Sequence, residues 1–258
     1  MTIPDRVAAN VAWLFTEHAW PDRFAAAAAS GFAAVEFPWP DDPAATVEAV
    51  RGAGLRVAML NMAAGNLAAG DRGCPNDPAR MSEWRQAFAD ALHLAIDLQC
   101  PTINVLAGNL LANRPIGDQL ACFETNLRWA LPAAAGVGVT IVSELLNRRE
   151  NPAYLLVDLG DAEPLLERMG PLGWRLQLDT YHVGLTGADV PAAIRRAAAR
   201  IGHVQVADVP GRHEPGTGAL DWNAIGSALT VANYEGAIGL EYRPSAGFGW
   251  IDEISLSG

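Results

Sequence analysis

Two periodicities alternate along the chain. Short runs rich in Val, Ile and Leu, typical of strands buried on both faces, are separated by Ala-rich stretches whose apolar residues recur at helical spacing. Eight such runs are legible: "VAANVAWLF" from Val7, "AVEFPW" from Ala34, "RVAMLNM" from Arg56, "TINVLAG" from Thr102, "VTIVSELLN" from Val139, "RLQLDTYH" from Arg175, "HVQVAD" from His203 and "AIGLEYRP" from Ala237. Their starts lie 22 to 46 residues apart, and each interval has room for a loop and a crossover helix. Eight parallel strands joined in this way close naturally into a (β/α)8 TIM barrel, an α/β fold. The expectation is one barrel domain over residues 1–258.

Helix punctuation agrees with this reading. "PDRFAAAAASG" places Pro21 at the first helical position and Gly31 at a C-terminal cap, and "DVPAAIRRAAARIG" is expected to run in the same way from Asp189 to Gly202. The longest interval holds "AAGNLAAGDRGCPNDPAR", a loop before the helix near "MSEWRQAFADALHLAIDLQ". Long loops after barrel strands usually serve the active-site face. After the eighth strand only "SAGFGWIDEISLSG" remains, so the final helix is short or incomplete and leaves a gap that a partner subunit in a homo-oligomer would cover.

Composition narrows the function classes. Half of the 258 residues are hydrophobic and the formal net charge is −11, with basic residues scattered, so the chain shows no electrostatic footprint for nucleic acid or anionic lipid. No segment offers about 18 uninterrupted apolar residues, and the start has no signal-peptide pattern. Cys74, Cys100 and Cys122 are far apart and odd in number, which points away from a disulfide framework and towards a reducing, cytoplasmic setting. Neither "GVGVT" nor "GTGAL" completes a dinucleotide-binding pattern, and a P-loop and a GxSxG elbow are both absent.

Four strands break the apolar pattern near their C-terminal ends, with Glu144, Asp179, Gln205 and Glu241. They belong to strands five to eight, neighbours around a barrel wall, and the C-terminal mouth is where barrel enzymes keep their sites. A charged or amide group in a buried strand needs a partner. Three carboxylates and an amide oxygen form a hard oxygen set suited to Mg²⁺ or Mn²⁺, with Gln205 adding an oxygen but no further charge. Without a cation the three carboxylates would repel one another and raise their own pKa values. Any one of these residues alone is more often a loop cap or ion-pair partner; it is their recurrence on consecutive strands that favours a site.

His182, three residues after Asp179, and Arg212, after strand seven, reach the same mouth and suit an oxygenated anionic small molecule. Arg212, or Arg72 in "AAGDRG", would hold a substrate carboxylate, and Asn61 joins the substrate-binding candidates. His203 lies deeper on the face of Gln205 and is expected to make a structural hydrogen bond.

At these residues the chain resembles the hydroxypyruvate isomerase family, a branch of the xylose isomerase-like barrels. The resemblance spans nearly the whole chain through "GFAAVEF", "NMAAGNLAAGDRG", "SELLN", "LQLDTYH", "HVQVADVPGRHEPGTG" and "GLEYRP". It implies Glu144, Asp179, Gln205 and Glu241 as the metal-site positions, Glu144 and Glu241 as the proton-transferring pair, and His182 and Arg212 as substrate contacts. The implied reaction interconverts hydroxypyruvate and tartronate semialdehyde through an enediolate, in glyoxylate or sugar-acid metabolism, on a small keto acid or sugar acid. The chain departs from the family pattern at "ELLN", which lacks the proline of "EPIN", and at "NMAAG" in place of "NLPAG", both of which bear on substrate preference. The rivals are a 2-oxo-tetronate isomerase or ketose 3-epimerase using the same site, an endonuclease IV-like nuclease, and a non-catalytic sugar-acid binder. The nuclease would need a basic face and more than the five histidines present. The binder would not exchange substrate hydrogen with solvent.

Overall fold

A computed structural model describes residues 3–254. Eight strands, β1 (Val7–Asn10), β2 (Ala34–Phe37), β3 (Arg56–Asn61), β4 (Thr102–Asn104), β5 (Thr140–Glu144), β6 (Arg175–Asp179), β7 (Ile201–Val206) and β8 (Ile238–Leu240), pair in parallel and in sequence order, and β8 closes on β1. The closed (β/α)8 barrel is therefore the expected one. The strands are shorter than the apolar runs, because each run continues past the ladder into the loop that shapes the mouth.

Helices α1 (Trp20–Ala29), α2 (Pro43–Ala53), α3 (Met81–Leu98), α4 (Ile116–Gly136), α5 (Leu159–Met169), α6 (Thr180–Leu185), α7 (Val190–Ala197) and α8 (Trp222–Val231) fill the crossovers, and α9 (Trp250–Glu253) is the short final helix foreseen from the sequence. Gly31 lies just past α1 at φ +94°, as the capping pattern required. The second capped helix differs from expectation: α7 ends at Ala197, and Gly202 belongs to β7. There a Cβ would strike Arg175 and Val142 inside the barrel, so this glycine is needed for strand packing rather than for ending a helix. No helix among the described residues is long and apolar enough to cross a membrane.

Alternation along each strand sorts the side chains. Val35, Phe37, Leu60, Ile103, Ile141, Leu176, Leu178, Val204 and Leu240 join the apolar core with the helices, where Phe24 and Trp20 of α1 meet Phe37 edge to face. Each such buried side chain contributes about 1.5–3 kcal/mol. Inside the barrel the pattern reverses. Small alanines, Ala8, Ala34 and Ala58, cluster at one level, while Asn10, Glu36, Asn104, Gln177, Asp179, His203 and Gln205 are all buried polar residues. A barrel interior is usually packed with branched apolar side chains; this one carries a hydrogen-bonded polar column that rises to the mouth.

Candidate active site

Glu144 ends β5 and Asp179 ends β6. Asp179 also caps α6: its Oδ1 accepts from the Tyr181 backbone N–H at 2.7 Å, so the chain turns at once into a helix and brings His182 back over the barrel axis. His182 Nε2 lies 3.5 Å from Glu144 Oε1 and 3.8 Å from Asp179 Oδ2. Glu144, Asp179 and His182 are all buried and offer ligand-capable atoms within 4.8 Å of one another.

The rest of the imidazole is fixed from the other side. His182 Nδ1 accepts from the backbone N–H of Asn147 at 3.0 Å, and the Asn147 side-chain nitrogen lies 2.7 Å from the same atom. Asn147 is held in turn by Glu150, which also accepts from the Tyr181 hydroxyl. Because a backbone N–H can only donate, Nδ1 is the lone-pair nitrogen and the ring proton sits on Nε2. Burial, with Arg212 nearby, lowers the His182 pKa to about 3 and keeps the ring neutral.

Glu241 follows β8 directly. Its Oε1 accepts from Asn10 Nδ2 at 3.2 Å, and its Oε2 pairs with Arg212, whose guanidinium also lies 3.3 Å from Asp179 Oδ2. Arg212 is sandwiched between Trp13 and Tyr181, 4.4 and 4.7 Å from the ring centroids. The β7–α8 loop delivers it through Asp208, whose carboxylate accepts from the N–H groups of Val209, Gly216 and Leu220 and from the Trp222 indole. Burial alone would lower the Arg212 pKa, but Glu241, Asp179 and Glu144 overcome it and the net shift is upward, so the guanidinium stays charged.

The three carboxyls are shifted upward, as expected, although the leading cause differs from the mutual repulsion read from the sequence. Burial is the largest contribution for each. It raises Glu144 well above the ordinary range, with Glu241 and Asp179 adding to the shift. Asp179 rises to about 6 and Glu241 to about 8 against the lowering effect of Arg212. Glu144 Oε1 is buried without any hydrogen-bond partner. An orphaned, acceptor-only oxygen among carboxyls held above their usual pKa values is what a divalent cation would relieve, so these residues fit one.

The other candidates occupy distinct places. Gln205 lies beside Asp179 in the β6–β7 register, but its amide already bonds Gln177 and Glu36 and leaves one oxygen lone pair to offer. Asn61 ends β3 and accepts from Asn104 Nδ2 at 2.9 Å, which leaves its NH2 as the group to offer. Arg72 sits on the long β3–α3 loop, bonded to Asn151 Oδ1 at 2.9 Å and to the carbonyl of Asp71. That loop is pinned over the barrel at Gly73, where φ is +85° and a Cβ would collide with the Leu106 carbonyl. His203 makes the expected buried contact, with Nε2 2.6 Å from Glu36 Oε2.

Several contributors escaped the sequence reading. Tyr154, fully buried, donates to the Glu144 carbonyl at 3.1 Å and accepts from the Ala107 N–H, which fixes the end of β5. Glu36, Asn10, Asn104, Asn147 and Trp13 also belong here. Asn10, Glu36 and Asn104 are polar residues inside apolar runs, and that position is the signal that could have betrayed them.

With this geometry in place, the model of the xylose isomerase-like TIM barrel family matches residues 24–256. The chain belongs to that family. Over 252 residues it is 39% identical to 2-oxo-tetronate isomerase from Cupriavidus necator, covering 95% of this chain and 97% of that protein. It is 31% identical to hydroxypyruvate isomerase from Escherichia coli over 253 residues, 96% and 98% of the two chains. Among solved structures, AP endonuclease, family 2, from Brucella melitensis superposes with a TM-score of 0.90 at 32% identity, covering 97% of this chain and 99% of that one.

Proposed function

We propose that the chain is an isomerase that interconverts hydroxypyruvate and tartronate semialdehyde by proton transfer through an enediolate, with Glu144 and Glu241 as the proton-transferring pair. The observation that carries this reading is the pairing of unlike carboxyls across the mouth: Glu144 with an unpartnered oxygen, and Glu241 held by Arg212 and Asn10. Both are held above the ordinary carboxylate pKa, Glu241 near 8, which suits carboxyls that exchange protons with carbon near neutrality.

Glu144 and Asp179, with Gln205 and Glu241, would hold a divalent cation, Mg²⁺ or Mn²⁺, which when bound polarises a substrate carbonyl and offsets developing negative charge. The chain's own groups do the rest. One glutamate oxygen removes a proton from the hydroxymethyl carbon, the hydroxyl proton passes from that carbon's oxygen to the former carbonyl oxygen, and the other glutamate returns a proton to the former carbonyl carbon. His182 donates its Nε2–H to a substrate oxygen, where negative charge grows in the enediolate. Arg212 is committed to two carboxylates, so it keeps Glu241 and Asp179 in place more readily than it recruits a third anion. The hydrogen bonds of Arg72 go to neutral oxygens, its charge is not cancelled by them, and it is the better holder of the substrate carboxylate.

A second reading, 2-oxo-tetronate as the substrate, keeps every role above and is favoured by the higher identity to the Cupriavidus necator enzyme. Measured kcat/KM values for hydroxypyruvate, 2-oxo-tetronate and a neutral ketose separate the readings. Preference for hydroxypyruvate supports the first reading and preference for 2-oxo-tetronate the second; preference for the neutral ketose overturns both.

A further inference from the structure

Glu36 stands on β2 with no exposed surface, and the proposed reaction gives it no task. Its Oε1 accepts from Asn10 Nδ2 at 3.0 Å and from Gln205 Nε2 at 2.6 Å, while Oε2 meets His203. To reach Gln205 the side chain passes β1 and β8, and the central residue of β8 makes room for it. That residue is Gly239, where a Cβ would fall on the Glu36 carboxylate.

An amide has a donor end and an acceptor end of nearly equal shape, so something must decide which way Gln205 points. Gln177 does not. In the observed pairing Gln177 Nε2 donates to Gln205 Oε1 at 2.6 Å, and Gln177 Oε1 is left buried with no partner. If Gln205 and Gln177 turned together, the Gln205 NH2 would donate to the Gln177 oxygen, so this pair is satisfied in either orientation and does not choose between them. On the other side a turned Gln205 would set its oxygen against Glu36, and a carboxylate has only oxygens to offer. Glu36 therefore decides the orientation.

We propose that Glu36 is a positioning residue: it holds the Gln205 amide with its oxygen towards β6, the strand that ends in Asp179, and so makes that oxygen available to a divalent cation. The inference rests on the reading of Gln205 as a ligand. It gives the buried glutamate of "GFAAVEF" and the close approach at Gly239 one common purpose.

The test is a double-variant cycle read by Mn²⁺ binding calorimetry on the metal-stripped protein, with circular dichroism and Tm as controls for the fold. Glu36→Leu and Gln205→Leu are each expected to weaken Mn²⁺ binding roughly 10- to 100-fold, the range for partners that orient ligands. The double variant is expected to be no weaker than the worse single one by more than about threefold, because Glu36 acts through Gln205. Wild-type affinity in Glu36→Leu, or losses that multiply in the double variant, would overturn the proposal. If Glu36→Leu does not fold, Gly239→Ala takes its place in the cycle; it displaces the same carboxylate and keeps every polar group, and the same outcomes decide. Wild-type protein that takes up no Mn²⁺ would overturn the ligand reading itself, an outcome distinct from binding that ignores Glu36.

Discussion

The backbone N–H of Asn147 donates to His182 Nδ1 at 3.0 Å, and this bond sets what the far side of the ring can do. With Nδ1 accepting, Nε2 carries the proton and stands 3.5 and 3.8 Å from the Glu144 and Asp179 oxygens, with no hydrogen bond made to Glu144 Oε1. His182 therefore acts as a donor in the mouth although its position would also suit a metal ligand. Nitrogen-15 NMR is expected to show His182 as the neutral Nε2–H tautomer from pH 5 to 8, since its pKa lies near 3. Addition of Mg²⁺ is expected to leave that proton in place, and a ring that loses it to the cation would contradict this account.

Removing the donor has a cost of its own. A hydrogen bond to a charged group is worth about 1.5–3 kcal/mol, so His182→Phe is expected to lower kcat/KM on hydroxypyruvate by roughly 10- to 100-fold. An effect confined to KM would make the contact one of uniform binding, no stronger in the transition state than in the ground state.

Glu144→Gln and Glu241→Gln are each expected to lower kcat by at least about 10²-fold, the lower end for general acid–base groups. Both variants should remain folded, because each substitution removes a buried carboxyl whose ionised form burial disfavours. Far-ultraviolet circular dichroism and steady-state kinetics read the two halves of this prediction.

The same shifts set a pH dependence for the metal-free protein. A carboxyl whose folded pKa is raised stabilises the fold below its unfolded pKa, and that contribution is lost as pH rises through the folded value. For Glu241 the loss runs from about 4.5 to about 8, and for Asp179 from about 3.8 to about 6. His182, with its pKa depressed from 6.5 to about 3, opposes this only below 6.5. From pH 6.5 to 8 the Asp179 and His182 contributions are spent and that of Glu241 remains, so the Tm of metal-free protein should fall as pH rises. Saturating Mn²⁺ should flatten that slope, since it binds the deprotonated forms.

Arg72→Gln is expected to raise KM for hydroxypyruvate about tenfold or more with a smaller change in kcat, the signature of lost uniform binding. Its kcat/KM on a neutral ketose should hold. Equal losses on both substrates would return Arg72 to a merely structural bond with Asn151.

The barrel was legible because strand burial and crossover spacing leave repeated marks on a sequence, and the strand-end residues Glu144, Asp179 and Glu241 stood out as charges where apolar side chains belong. The orientation of Gln205 was not legible, since it depends on Glu36 from a strand distant in the sequence. Nor was the commitment of Arg212 to Asp179 and Glu241, which follows from a loop folded around Asp208. The end of α7 at Ala197 was missed for a related reason: Gly202 looked like a local cap, and only the neighbouring strands show why a side chain is excluded there.

The central claim is proton transfer between substrate carbon and the glutamate pair, and proton NMR in D₂O tests it most directly. Purified protein with hydroxypyruvate and Mg²⁺ or Mn²⁺ is expected to incorporate deuterium at carbon as tartronate semialdehyde grows, with both signals lost in Glu144→Gln and after chelation. Product formed without any solvent deuterium, or undiminished exchange in both the Glu144→Gln and Glu241→Gln variants, would contradict the account.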